Sequence, residues 1–166
     1  MKNMRKILLV LLAVLMAFSM VACSEEKESD AEDDADKDNS AKDYYDAVSE
    51  SQGLLDEVAD KIYSNWYDAI YEDAFGDDIN VAIAAAQSSM STELERIEEL
   101  DGKISTLFKD AKETEAGAKV KEVMSAYSAY YEFVVNVSGS FQSYSADKET
   151  LKKDLASALR ELSYEI

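Results

Sequence analysis

No proline occurs anywhere in the 166 residues. Nothing in the backbone chemistry therefore stops long helices, because proline alone removes an N–H and clashes with the preceding turn. From Ser40 onward the apolar residues recur at alternating spacings of three and four, the signature of a packed, coiled-coil-like helical seam. The first seam runs Tyr45, Val48, Gln52, Leu55, Ala59, Ile62, Trp66, Ala69 and predicts a helix over Ala41 to Phe75. Ser40 is its expected N-cap and Gly76 its C′ stop. The second seam is Ile79, Ile83, Ala86, Met90, Glu93, Ile97, Leu100, Ile104, Leu107, Ala111. Asp77 or Asp78 caps it, and Leu94 is expected to turn inward in place of Glu93.

Thr114 is the expected cap of a third helix. Its seam is Ala116, Val120, Val123, Tyr127, Tyr130, Val134, Val137, Phe141, Tyr144. Phe133 to Val137 is β-branched enough to suggest a strand, but the helical period continues on both sides and no partner strand is visible. Gly139 is unfavourable inside a helix by about 1 kcal/mol relative to Ala, so it marks a kink or an early end. Ser145-Ala146-Asp147 reads as a tight turn, and Leu151, Leu155, Ala158, Leu159, Leu162 and Ile166 form the last stripe. The expected fold is all-α: an up-down antiparallel helical bundle of three long helices, about 45–50 Å each, plus one shorter C-terminal helix.

The segment before the bundle is different. Lys2, Arg5 and Lys6 precede an apolar run from Ile7 to Met16, and a smaller-residue stretch leads to Cys23, the only cysteine. This has the tripartite form of an export signal. Ile7 to Ala22 is short of the roughly 20 apolar residues of a spanning helix. Met20-Val21-Ala22-Cys23 resembles the lipobox of bacterial lipoproteins, with Met20 where leucine is most usual. The resemblance covers residues 1–23 only. It implies cleavage before Cys23, a diacylglyceryl thioether on that residue, and attachment to the extracytoplasmic face of the cell membrane. Two acyl chains give a stable anchor where one is marginal. The implied organisation is a signal peptide over 1–22, a lipidated cysteine with an acidic tether over 23–39, and a bundle over 40–166. Ser24 to Asn39 holds nine acids, two lysines and no large apolar residue, so it reads as disordered and extended by its own charge.

Charge and residue usage exclude whole classes of chemistry. The chain carries −18, of which the signal contributes +3, leaving −21 on the rest. Such a protein repels nucleic acid and attracts cations or basic partners. Histidine is absent, so Ser–His and Cys–His dyads and imidazole-bound zinc are excluded. The Glu-x-x-His pattern of di-iron bundles is absent for the same reason. No catalytic motif appears, and the chain is read as non-enzymatic.

Two binding readings remain. Aromatic residues gather toward the end of the first helix and along the third, and one seam cannot bury them all. Tyr63, Trp66, Tyr67, Tyr71, Tyr131 and Tyr144 are the candidates for contact with an envelope protein or wall polymer, since aromatic side chains favour recognition surfaces. The alternative is a cation or small-ligand binder acting as sensor or buffer. Glu72, Asp73, Asp77 and Asp78 are the carboxylates that could hold Ca²⁺. Glu72 and Asp73 fall where a helix macrodipole disfavours negative charge.

Overall fold

A computed structural model of the protein describes residues 33–166, with side chains from Asn39 onward. The expected signal peptide over 1–22, Cys23 and the first part of the expected acidic tether lie outside the described residues. The chain is all-α, with five helices packed against one another and no strand among the described residues. They are α1 (Asp33–Tyr71), α2 (Ile79–Ser89), α3 (Ser91–Ala111), α4 (Gly117–Val135) and α5 (Phe141–Leu162), in one compact unit. None of them is long and apolar enough to cross a membrane.

The 39-residue α1 is the pillar of the unit and touches each of the other four helices. At 1.5 Å per residue it is about 58 Å long. It begins at Asp33, inside the segment expected to be a disordered tether, and Ser40 lies within it rather than capping it. The backbone of residues 33–39, within the stretch whose composition reads as disorder, is helical.

Paired residues give the directions of the helices. Tyr44 meets Phe108, Glu50 binds Arg96, and Asn65 donates to the Ala82 carbonyl, so α2 and α3 run against α1. The Tyr44 hydroxyl faces the Val120 carbonyl and Tyr130 donates to Asp56, so α4 runs with α1. Tyr144 donates to the Ala59 carbonyl and Lys152 pairs with Asp56, so α5 runs against it.

Further boundaries differ from the sequence reading. α1 ends at Tyr71 rather than Phe75, because Asp73, Phe75 and Gly76 take left-handed φ, so Gly76 lies in the turn beyond and is not the C′ stop. α1 alone is long where the sequence reading expects three helices of about 45–50 Å. The second seam is two helices, because the chain turns at Met90 (φ −111°, ψ 26°) within the run Ser88-Ser89-Met90-Ser91-Thr92. Ser89 donates back to the Ala86 carbonyl there, a local bond that competes with helix continuation. The third seam also stops early. Gly139 adopts φ +90°, and Ser140 caps α5 by accepting from Ser143 N–H while Ser143 Oγ accepts from Ser140 N–H. Phe141 and Tyr144 therefore belong to α5, and Ser145-Ala146-Asp147 is helix rather than turn. Finally, Thr114 does not cap α4; its hydroxyl donates to the Ala111 carbonyl and closes α3.

The core is partly aromatic. Tyr44, Tyr127, Tyr130 and Tyr144 are its bulkiest fully buried side chains, among Leu55, Ile62, Ile97, Leu100, Ile104, Leu155 and Leu162. The inward row on α1 begins with Ala41 and Tyr44 and includes Ser51, with Tyr45 and Gln52 half-buried beside it. A helix with neighbours on several sides buries a wider arc than one seam defines. Small residues serve the closest approach: Ala82 and Ala86 let α2 lie against Asn65.

Candidate functional site

The end of the bundle remote from the start of α1 is built from the last turns of α1, the loop into α2, and the α4–α5 connection. Tyr63, Tyr67 and Tyr71 are four residues apart on α1, which places their side chains on one helix face. Their rings follow one another at 6.4 Å and 4.7 Å. Phe141, on the first turn of α5, meets all three rings, at 5.1 Å from Tyr63, 6.2 Å from Tyr67 and 6.1 Å from Tyr71. Tyr67 is 40 % and Tyr71 59 % exposed, so the outer half of the row is open to solvent. Ile70, Ile79 and Val81 are also exposed at this end.

The other aromatic candidates lie elsewhere. Trp66 and Tyr144 are buried at 3 % and 1 % exposure, beneath the row, with their rings 5.4 Å apart. They support the surface and offer none themselves. The Trp66 indole N–H is buried without a hydrogen-bond acceptor. Tyr131 is half-buried against Tyr127 on α4, 6.0 Å away, and joins no ring of the α1–α5 row. Phe141 is the residue sequence reasoning missed as a surface element. The signal was the Ser140-x-x-Ser143 cap directly after Gly139, obscured because serine replaces the usual Glu or Gln at the fourth position.

The loop from Glu72 to Asp78 explains its acids by backbone shape. Asp73, Phe75, Gly76 and Asp77 all have left-handed φ, at 52°, 58°, 62° and 60°. Asp and Asn tolerate that region better than most residues, because their short polar side chains bond locally. Asp78 caps α2, accepting from Asn80 and Val81 N–H through Oδ1. Among the described residues no group of three or more potential ligands is placed to hold a metal ion, so Glu72, Asp73, Asp77 and Asp78 do not converge on a site.

A belt of polar contacts underlies the aromatic row. Lys148 on α5 is 8 % exposed; its ammonium bonds Asp60 Oδ1 at 2.5 Å and sits 4.7 Å from the Tyr63 ring centre. Burial opposes its charge, but Asp60, reinforced by Glu149, outweighs burial and holds the group above its ordinary pKa. Asp56 accepts from Tyr130 at 2.8 Å and pairs with Lys152 at 3.0 Å. Burial first, and then the Asp56 hydrogen bond, pushes the Tyr130 phenol far above its usual value. Beyond Lys148 the end has no cation: residues 62–82 and 133–147 contain no Lys or Arg, and they carry Asp68, Glu72, Asp73, Asp77, Asp78 and Asp147.

Comparison with protein-family models, curated proteins and solved structures finds no match to this chain. The site must be judged on its own chemistry. It is a half-exposed row of rings near carboxylates. The face of such a ring attracts a cation.

Proposed function

We propose that the chain is a lipid-anchored, extracytoplasmic interaction or scaffold module at the cell envelope, non-enzymatic, that holds a protein or wall-polymer partner on its remote aromatic end. The observation that carries this reading is the open half of the aromatic row, Tyr67 and Tyr71, supported from below by buried Trp66 and Tyr144. Rigidly backed, half-exposed aromatic rings are the side chains most enriched at recognition surfaces. The up-down arrangement fits the role. With the lipid on Cys23 and α1 beginning at Asp33, the pillar lifts its far end about 58 Å from its own start. No specific feature favours the cation-sensor alternative.

The reading has two testable parts. Mass measurement of the membrane-extracted protein is expected to show cleavage before Cys23 and added acyl chains, both lost in Cys23→Ser. An unacylated protein retaining residues 1–22 would overturn the anchor. Crosslinking on intact cells with the wild type and with Tyr67→Ala/Tyr71→Ala is expected to give an adduct only for the wild type. The same adduct from both proteins would overturn the assignment of the surface.

A further inference from the structure

The first ring of the row is already occupied: the Lys148 ammonium lies 4.7 Å from the centre of Tyr63. The next two rings, Tyr67 and Tyr71, are more exposed than Tyr63 and have no cation over them among the described residues. We propose that Tyr67 and Tyr71, with Phe141 beside both, are the docking strip for a basic polypeptide segment of a partner protein, whose Lys or Arg side chains continue on these rings the arrangement that Lys148 begins on Tyr63. The inference rests on the interaction-module reading and narrows its partner to a cationic polypeptide.

Three observations select this occupant. Charge is the first. Lys148 apart, the segments 62–82 and 133–147 that form this end carry Asp68, Glu72, Asp73, Asp77, Asp78 and Asp147 and no Lys or Arg, which draws a cationic partner in and repels anionic polymers. The same charge disfavours a second copy of this chain, because a two-fold interface would set that acidic end against itself. Spacing is the second. The Tyr63 and Tyr67 ring centres are 6.4 Å apart and those of Tyr67 and Tyr71 4.7 Å apart. Alternate side chains of an extended peptide repeat about every 6.6–6.8 Å. The first step matches that repeat, and the long stems of Lys or Arg reach across the shorter second step, so basic side chains of one extended segment can meet successive rings, which a single small cation cannot. Shape is the third. The rings form an open strip along the α1–α5 seam, not a box closed around one ligand.

The test titrates the full chain in detergent with a Lys-Ser alternating hexapeptide, with a Gly-Ser hexapeptide of equal length, and with tetramethylammonium. Trp66 reports by its fluorescence, since it is the only tryptophan and its ring lies 6.0 Å from Phe141. The basic peptide is expected to bind and the neutral one not to bind. Tyr67→Leu and Tyr71→Leu are each expected to weaken binding about two- to five-fold, while the Phe variants at both positions retain it. Asp73→Asn/Asp77→Asn, which keeps residues suited to left-handed φ, should weaken binding more than Asp154→Asn/Glu165→Gln, which lie away from the strip at the middle and far end of the bundle.

Equal weakening by the two acid pairs, with no effect of the Leu variants, would show diffuse attraction to a negative protein and overturn the proposal. Equally tight binding of tetramethylammonium would reassign the strip to a small quaternary amine. Tyrosine-dependent dimerisation in sedimentation would reassign it to a second copy. If the cellular adduct still depends on Tyr67 and Tyr71 but the basic peptide does not bind, the interaction-module reading stands and the cationic partner falls.

Discussion

Raising the pH should unfold this protein through its own core. Tyr44, Tyr127, Tyr130 and Tyr144 are each 0–1 % exposed. Burial, the largest cause in every case, raises all four phenol pKa values, joined by Tyr127 at Tyr44, by the Asp101 charge at Tyr127, by Asp56 at Tyr130 and by Asp60 at Tyr144. A raised folded value means that the neutral form stabilises the fold. That contribution is complete below the unfolded tyrosine pKa of about 10 and is lost as pH rises above it. Above pH 10 the unfolded chain has released four protons that the folded chain keeps. Each costs about 1.36 kcal/mol per pH unit, together about 5.4 kcal/mol per unit. A domain stability of about 5–15 kcal/mol is then exhausted within roughly one to three units. Lys148 and Lys152, whose pKa values are also raised, add in the same direction. The assay is tyrosinate absorbance followed beside far-ultraviolet circular dichroism at equilibrium. The last of the absorbance should appear together with the loss of helix. In Tyr127→Phe the stability should fall with pH by about 1.4 kcal/mol per unit less steeply, and the midpoint should move up. Its hydroxyl lacks a hydrogen bond of good geometry, so removing it costs little. Ionisation of all ten tyrosines with the helical signal intact would refute the reasoning.

Glycine substitutions should divide by sign. A Cβ at Gly117 would lie 2.2 Å from the Lys112 carbonyl oxygen, forcing the α3–α4 turn to move, so Gly117→Ala should lower stability by about 3 kcal/mol in urea unfolding. Gly53 and Gly102 stand in helices with nothing within 4 Å of a Cβ, so alanine there should raise it by about 0.5–1 kcal/mol; shifts of the same sign at all three would count against the packing described. Ser140→Ala removes the cap of α5 and should cost about 1 kcal/mol in thermal melts, whereas no change would mean that Phe141 and Tyr144 packing alone sets where α5 begins.

The amino-acid order determined the helical class of this protein. Absent proline and a sustained three–four apolar spacing leave little else for residues 40–166 to form, and much of the inward row on α1, Val48, Leu55, Ala59, Ile62, Trp66 and Ala69, was legible from period alone. So was Asp78 as a cap, since its side chain acts on residues two and three positions away. Where one helix ends and the next begins was decided by cooperation between segments. The period passes through Val137, Phe141 and Tyr144 without a break, yet Gly139 and the Ser140–Ser143 cap divide it, and α5 then returns along α1 so that Tyr144 reaches the Ala59 carbonyl. The same holds for the aromatic end. Sequence spacing puts Tyr63, Tyr67 and Tyr71 on one face, but it cannot show that Trp66 and Tyr144 sink beneath them, that Tyr131 turns to Tyr127, or that Phe141 joins the row from 70 residues away. Local periodicity fixes which residues share a helix face; which faces meet, and which rings are left in water, depends on long-range packing that no local pattern encodes.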